Sequence, residues 1–346
     1  MLKRFISKVV DRTDLSEAES GEAMAFIMGG EVPPTQIASF ITALRMKGET
    51  IQEITGFART MREKAVHIRA KDGEQVVDTC GTGGDGKGTF NISTAVAFVA
   101  AGGGCTVAKH HNRSVSSQCG SADVLEALGV NYALPPERAE ASLQKFGLAF
   151  LFAPTFHPAT RHALVPRREI GIRTVFNLLG PLTNPAGASA QVIGVYEPAL
   201  TEKIAHVLKR LGTREAFVVC GEGTLDEISI CGPTRISHLK NEEVRTFDLT
   251  PEEVGLKRAA PEAIRGGEAL ENARIIREIL DGQRRPNRDI VLINTAAAFV
   301  AAGLDSCFKE GIERAKASID SGRAKEKLQR LIAFTQQCGN FLRKEL

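Results

Sequence analysis

Tryptophan is absent from this chain of 346 residues, tyrosine occurs only twice, and aromatic residues of all kinds make up 5%. So few rings leave little surface on which nucleic-acid bases could stack. Charge of one sign is scarce too: the net balance is +3, a small surplus for a protein held to nucleic acid by bulk electrostatics. No apolar run reaches the roughly 18 residues that a membrane-crossing helix needs. Lys3, Arg4, Lys8 and Arg12 lie near the start, but Asp11 and Asp14 interrupt them and no apolar h-region follows, which argues against a secretory leader. The cysteines (Cys80, Cys105, Cys119, Cys220, Cys231, Cys307, Cys338) are scattered, odd in number and without a Cys-x-x-Cys pair. That excludes a zinc knuckle or a disulfide framework and predicts a reducing, cytoplasmic setting.

What is present suits a globular protein with a sizeable core: 43% hydrophobic and 25% charged residues, over a length that predicts two domains. The first 65 residues read as three short amphipathic helices. Ser16-x-x-Glu19 and Thr50-x-x-Glu53 are capping boxes for two of them, and Pro33-Pro34 opens the third, which Gly48 closes. From Gly73 the pattern changes. Strands are predicted at Val76-Val77-Asp78, Val107-Ala108, 149–152, 191–196, 216–220 and 290–293. Helices fall between them at 93–101, 121–128, 136–145, 200–211, 270–280 and 308–319. Such alternation predicts an α/β domain with a mostly parallel central sheet flanked by helices, after a small N-terminal helical layer that needs a partner surface.

Between the first strand and its helix stands Gly81-Thr82-Gly83-Gly84-Asp85-Gly86. Glycines there let backbone N–H groups converge on an anion, and Asn91-Ile92-Ser93-Thr94 adds hydrogen-bonding side chains at the next helix start. Two familiar motifs match only in part. A dinucleotide fingerprint lacks its acid some 20 residues on, and a P-loop would need Ser or Thr where Gly88 stands. Lys109-His110-His111-Asn112-Arg113-Ser114-Val115-Ser116-Ser117-Gln118-Cys119-Gly120-Ser121 follows the second strand and is read as a loop at the same sheet edge. Its two cations and four serine hydroxyls suit a phosphate or pyrophosphate.

Asp78-x-x-Gly-Thr-Gly-Gly-Asp, Asn-Ile-Ser-Thr, Lys-His-x-Asn-Arg-Ser-Val-Ser-Ser and Gly-Ser-Ala-Asp, in that order, resemble the anthranilate phosphoribosyltransferase family. The likeness continues through His157-Pro158, the segment from Arg167 to Thr174, Phe176 to Pro185, and Asp226-Glu227, and so spans nearly the whole chain. The resemblance implies a nucleoside phosphorylase-like phosphoribosyltransferase fold and transfer of phosphoribose from phosphoribosyl pyrophosphate (PRPP) to the amine of anthranilate, a step of tryptophan synthesis. By similarity the donor is bound by Gly81, Gly84, Asp85, Thr89, Asn91, Ile92, Ser93, Thr94, the segment Lys109, His110, His111, Asn112, Arg113, Ser114, Val115, Ser116, Ser117, and Ser121. Anthranilate is expected at Gly81, His110, Asn112, His157 and Arg167. A pair of Mg2+ ions is expected at Ser93, Asp226 and Glu227, since oxygen ligands and substrate phosphates are what magnesium prefers. No residue is expected to act as a covalent nucleophile. His111 stands where the family has glycine.

The resemblance further implies a helical domain over residues 1–72, joined by residues 168–186, and a catalytic domain over 73–346, with hinges near Gly73 and Gly187. A homodimer through the helical domain and association with anthranilate synthase are the partners it suggests, with no membrane or nucleic acid. Two rivals share the architecture. A pyrimidine nucleoside phosphorylase has a similar Lys-His loop, but the Asn-Ile-Ser-Thr run and the Asp226-Glu227 pair favour the transferase. A nucleic-acid-binding relative without activity would need a basic groove, against the +3 charge and the scarcity of rings.

Overall fold

Burial on two faces explains why the strands read as apolar runs: helices cover both sides of one twisted sheet. The computed structural model describes residues 2–113 and 119–337. Among them, seven strands, β1 (Val76–Asp78), β2 (Thr106–His111), β3 (Leu148–Phe152), β4 (Ala190–Gly194), β5 (Glu215–Gly221), β6 (Thr234–Lys240) and β7 (Glu243–Leu249), lie in the order β3-β2-β1-β4-β5-β6-β7. The pairings from β3 across to β5 are parallel, and β6 and β7 add an antiparallel edge. From β1 the chain moves outward to β2 and β3, then returns to β4 on the opposite side. That reversal makes the carboxyl end of β1 a topological switch point, where open α/β sheets place their ligands.

Strand alternation sorts the side chains of β5 between two cores. Phe217 and Val219 of β5 pack with the helices Ile92–Gly102, Ala269–Leu280, Pro286–Ala301, Phe308–Asp320 and Arg323–Gln336. Ala216, Val218 and Cys220 face the other way, into a core shared with the N-terminal helices and the helices Phe176–Leu182 and Leu200–Arg210. The helical layer therefore finds its partner surface on the sheet side of β4 and β5. Arg62 ties the two together, donating to the carbonyls of Leu182 (2.6 Å) and Leu211 (3.2 Å).

Both capping boxes form as expected, at Ser16/Glu19 and Thr50/Glu53. Three readings are corrected. The N-terminal layer has a further helix, Lys3–Val10, whose Phe5 and Val9 are buried although three of its eight residues are basic. Residues 290–293 belong to the helix Pro286–Ala301, in which all of 290–301 are buried; with no exposed face there is no helical period to read, and a buried helix resembles a buried strand. Lys109, His110 and His111 are the last residues of β2 rather than loop. The β6–β7 hairpin and the helix Arg323–Gln336 had no expectation at all.

Candidate active site

At the carboxyl end of β1, Asp78 is fully buried and leads into the glycine-rich turn. Its carboxylate accepts from the His110 backbone N–H (3.2 Å) and from Asn184 Nδ2 (2.7 Å), and the same amide group donates to the Ala108 carbonyl (2.7 Å). Burial raises the Asp78 pKa to about 6 against the opposing pull of Lys109. Beyond it, Gly83, Gly84, Gly86 and Gly88 all have positive φ, so the turn is built from conformations that side chains resist. Thr82 N–H donates to the Gly194 carbonyl at 2.8 Å, anchoring the turn on the end of β4. Thr89 bridges to Arg265 and fixes the far end.

Alternation along β2 decides what its last residues do. Lys109 points to the face of the helix Ile92–Gly102, where its ammonium, almost wholly buried, donates to Ser93 Oγ (3.1 Å) and the Thr79 carbonyl (3.0 Å). His110 points to the opposite face and meets the Gly180 carbonyl through Nδ1 at 2.9 Å. The His157 ring lies 5.1 Å from it and uses Nε2 on the Thr183 carbonyl, 2.9 Å away. A carbonyl partner requires a protonated nitrogen, which assigns both tautomers and leaves a lone pair on His110 Nε2 and on His157 Nδ1, neither with a partner. Burial lowers the His110 pKa to about 3 and that of His157 to about 4, so both rings are neutral. Arg167 stacks on Phe176 with its guanidinium 5.1 Å from the ring centre. His110, His157 and Arg167 thus converge on the helix Phe176–Leu182 and its end.

Carboxylates complete the cleft. Asp226 accepts from the Gly83 N–H (2.9 Å), and a Cβ on Gly81 would lie 3.2 Å from its Oδ2. Burial and the neighbouring Asp85 carboxylate raise its pKa to about 7. Glu227 is raised well above the usual range by burial and by Asp226, while the Ser93 N–H hydrogen-bonds it. Ser93, Asp226, Glu227 and Asp85 therefore gather around the turn. Among the described residues no group of three or more His, Cys, Asp and Glu side chains is set to hold a metal by itself. Crowded acids that repel one another fit a divalent cation whose remaining ligands are substrate phosphates and water.

Other expected residues are placed less simply. Asn91 spends its side chain on structure, donating to the Cys119 carbonyl (3.2 Å) and accepting from Asn272 (3.0 Å). Ile92 is buried and can offer only backbone, and the fully buried Thr94 hydroxyl has no partner. Ser121 begins the helix Ser121–Leu128. Asn112 is exposed, its Oδ1 taken by the Arg113 N–H (2.8 Å). The Arg113 guanidinium is held by Asp123 (3.1 Å) and the Tyr132 hydroxyl. Ser114, Val115, Ser116 and Ser117 lie outside the described residues. His111 keeps an ordinary strand backbone, and its buried ring sits among Tyr132, Phe150 and Phe152 with neither nitrogen partnered. Sequence reasoning passed over Asn184, Gly194, Arg173 and Tyr196. The buried acid Asp78 inside an apolar strand was the one signal that a polar partner such as Asn184 had to exist.

Fold and cleft define a glycosyltransferase of the two-part kind. The chain matches the helical bundle domain of the glycosyl transferase family over residues 3–65 and its a/b domain over residues 73–325. Within that class it belongs to the anthranilate phosphoribosyltransferase family. The anthranilate phosphoribosyltransferase of Moorella thermoacetica is 57% identical, over 97% of this chain and 99% of that protein. The crystal structure of the Thermus thermophilus enzyme, 46% identical, superposes with a TM-score of 0.91 over 96% of this chain and 99% of that one. The Saccharomyces cerevisiae enzyme in complex with PRPP and Mg is 30% identical, with a TM-score of 0.88 over 97% and 98% of the two chains. Its complex with 4-fluoroanthranilate matches at 0.87 and 29% identity, over the same shares.

Proposed function

We propose that the protein transfers the 5-phosphoribosyl group of PRPP to the amine of anthranilate, giving N-(5-phosphoribosyl)anthranilate and pyrophosphate for tryptophan synthesis. One observation carries this reading: the glycine-rich turn is hydrogen-bonded to Asp226 across the switch point, with Ser93, Lys109 and Glu227 beside it. Backbone N–H groups and Lys109 take the donor's phosphates, and the complex of the yeast relative with PRPP and Mg supports that choice of ligand. Ser93, Asp226 and Glu227 would hold Mg2+, which neutralises the diphosphate as it leaves.

Anthranilate is placed beside His110, His157 and Arg167. The planar fork of Arg167 suits its carboxylate, and the free lone pairs of the two histidines suit its amine hydrogens. An aromatic amine is neutral near pH 7 and needs no strong base to prepare it. Imidazoles held at about 3 and 4 are weak bases, so they orient the amine rather than deprotonate it in advance. Positioning and leaving-group stabilisation then supply the rate, with no covalent nucleophile.

Residues 1–72 with 168–186 are taken as the helical domain and 73–346 as the catalytic one, with Gly73 and Gly187, both at positive φ, as hinges for closure around the substrates. A homodimer through the helical part is supported by exposed Val10, Met46, Leu164 and Val165 on neighbouring helices. A cytoplasmic location rests on the unbridged, buried Cys105 and Cys220. The direct test mixes protein, PRPP, Mg2+ and anthranilate and follows anthranilate fluorescence. Enzyme- and PRPP-dependent loss is expected, and a flat trace with active donor and metal refutes the assignment.

A further inference from the structure

Arg173 reaches the glycine-rich turn at Gly84, next to the Gly83 that Asp226 holds. It lies in the short link between the helices Arg161–Ile170 and Phe176–Leu182, and its chain direction is set by Gly171, which ends the first in the left-handed conformation. Its guanidinium stacks on Tyr196, 4.2 Å from the ring centre. A Cβ placed on Gly84 would lie 3.4 Å from Nη2, 3.6 Å from Nε and 3.7 Å from Cζ, so the flat cation rests against the backbone of the turn. Among the described residues it has no hydrogen bond and no ion pair. Stacking occupies the face of a guanidinium and leaves the N–H groups along its edge free to donate. Tyr196 thus holds the plane of a cation set against Gly84, in a glycine-rich turn of the kind whose N–H groups bind anions.

We propose that Arg173 is a phosphate-binding residue of the donor site, carried to the glycine-rich turn by the helical part of the molecule. Its ligand is the phosphate end of the donor that lies on the turn, and the inference rests on the donor reading given above. Arg173 contributes the edge-on fork that Lys109, engaged with Ser93 and Thr79, does not. Gly84 is then needed for two reasons: its φ of +75°, and the room it leaves for the cation.

Calorimetry on the full chain, with PRPP and separately with inorganic pyrophosphate in Mg2+, tests this on wild type, Arg173→Ala, Arg173→Lys and Tyr196→Phe. The alanine variant is expected to weaken both ligands about tenfold or more, the scale of a lost charge-assisted contact. Lysine should recover part of that loss, and Tyr196→Phe, which keeps the ring, should bind as wild type. In steady-state kinetics the donor KM rises while the anthranilate KM holds. Arg173 is exposed, so unfolding midpoints should stay unchanged. Equal donor and pyrophosphate affinity in wild type and Arg173→Ala overturns the proposal, as does a rise confined to the anthranilate KM. Wild type that binds no donor at all would instead sink the assignment of the site as a whole.

Discussion

His111 carries a cost that its surroundings do not return. Both ring nitrogens are buried among aromatic rings without a partner, and burial holds the pKa well below 6.5. Replacing it with leucine keeps an apolar filler and removes the unpaired polar atoms, so His111→Leu is expected to unfold later in urea, by about 1 kcal/mol. The advantage should depend on pH. The folded state keeps this histidine neutral, whereas the unfolded chain takes up a proton below about 6.5. Wild type therefore loses ground to the leucine variant as pH falls below that value, at up to about 1.4 kcal/mol per unit. A difference that stays constant between pH 7.5 and 5.5 would refute the burial of a neutral ring. His111→Gly, by contrast, opens a cavity and should cost on the order of 2 kcal/mol, with turnover on anthranilate within a few-fold of wild type. A large loss of turnover in that variant would give the ring a role at the substrate that its pocket does not suggest.

Elements rather than single residues bring the acids to the turn. Gly194 ends β4, and a Cβ there would sit 1.6 Å from the Asp226 carbonyl oxygen, while its own carbonyl receives Thr82. Gly194→Ala must push the Asp226–Glu227 segment and the glycine-rich turn apart. Magnesium-dependent donor binding is expected to fall at least about tenfold, an amount worth about 1.4 kcal/mol, while the fold, judged by circular dichroism, survives. Unchanged donor affinity would show that the close approach of the two segments does not matter. This scale is also where the sequence was least legible. The glycine-rich turn announced itself by composition, and the capping boxes by spacing. Gly194 gave no such sign, because its use lies in a segment 32 residues further on. Likewise the assignment of Lys109 and His110 to opposite faces follows from the strand running to His111, and polar side chains had suggested a loop there.

For the molecule as a whole, the alternation of strands and helices was enough to read the parallel sheet and its helical companion. The buried helix Pro286–Ala301 and the β6–β7 hairpin were not, since one lacks an exposed face and the other joins an edge. The architecture converges on a single claim: two segments at the carboxyl end of β1 grip PRPP, with acids held ready for a divalent ion. Burial and mutual repulsion raise the pKa of Asp226 and of Glu227, so bringing in Mg2+ is expected to displace protons. Titration calorimetry of PRPP in excess Mg2+, run near pH 7 in two buffers of different ionisation enthalpy, measures both consequences at once. Saturable binding that vanishes with chelator and releases protons to the buffer is the expected result. Absence of binding despite ample magnesium, or binding that chelator leaves untouched, would contradict the account.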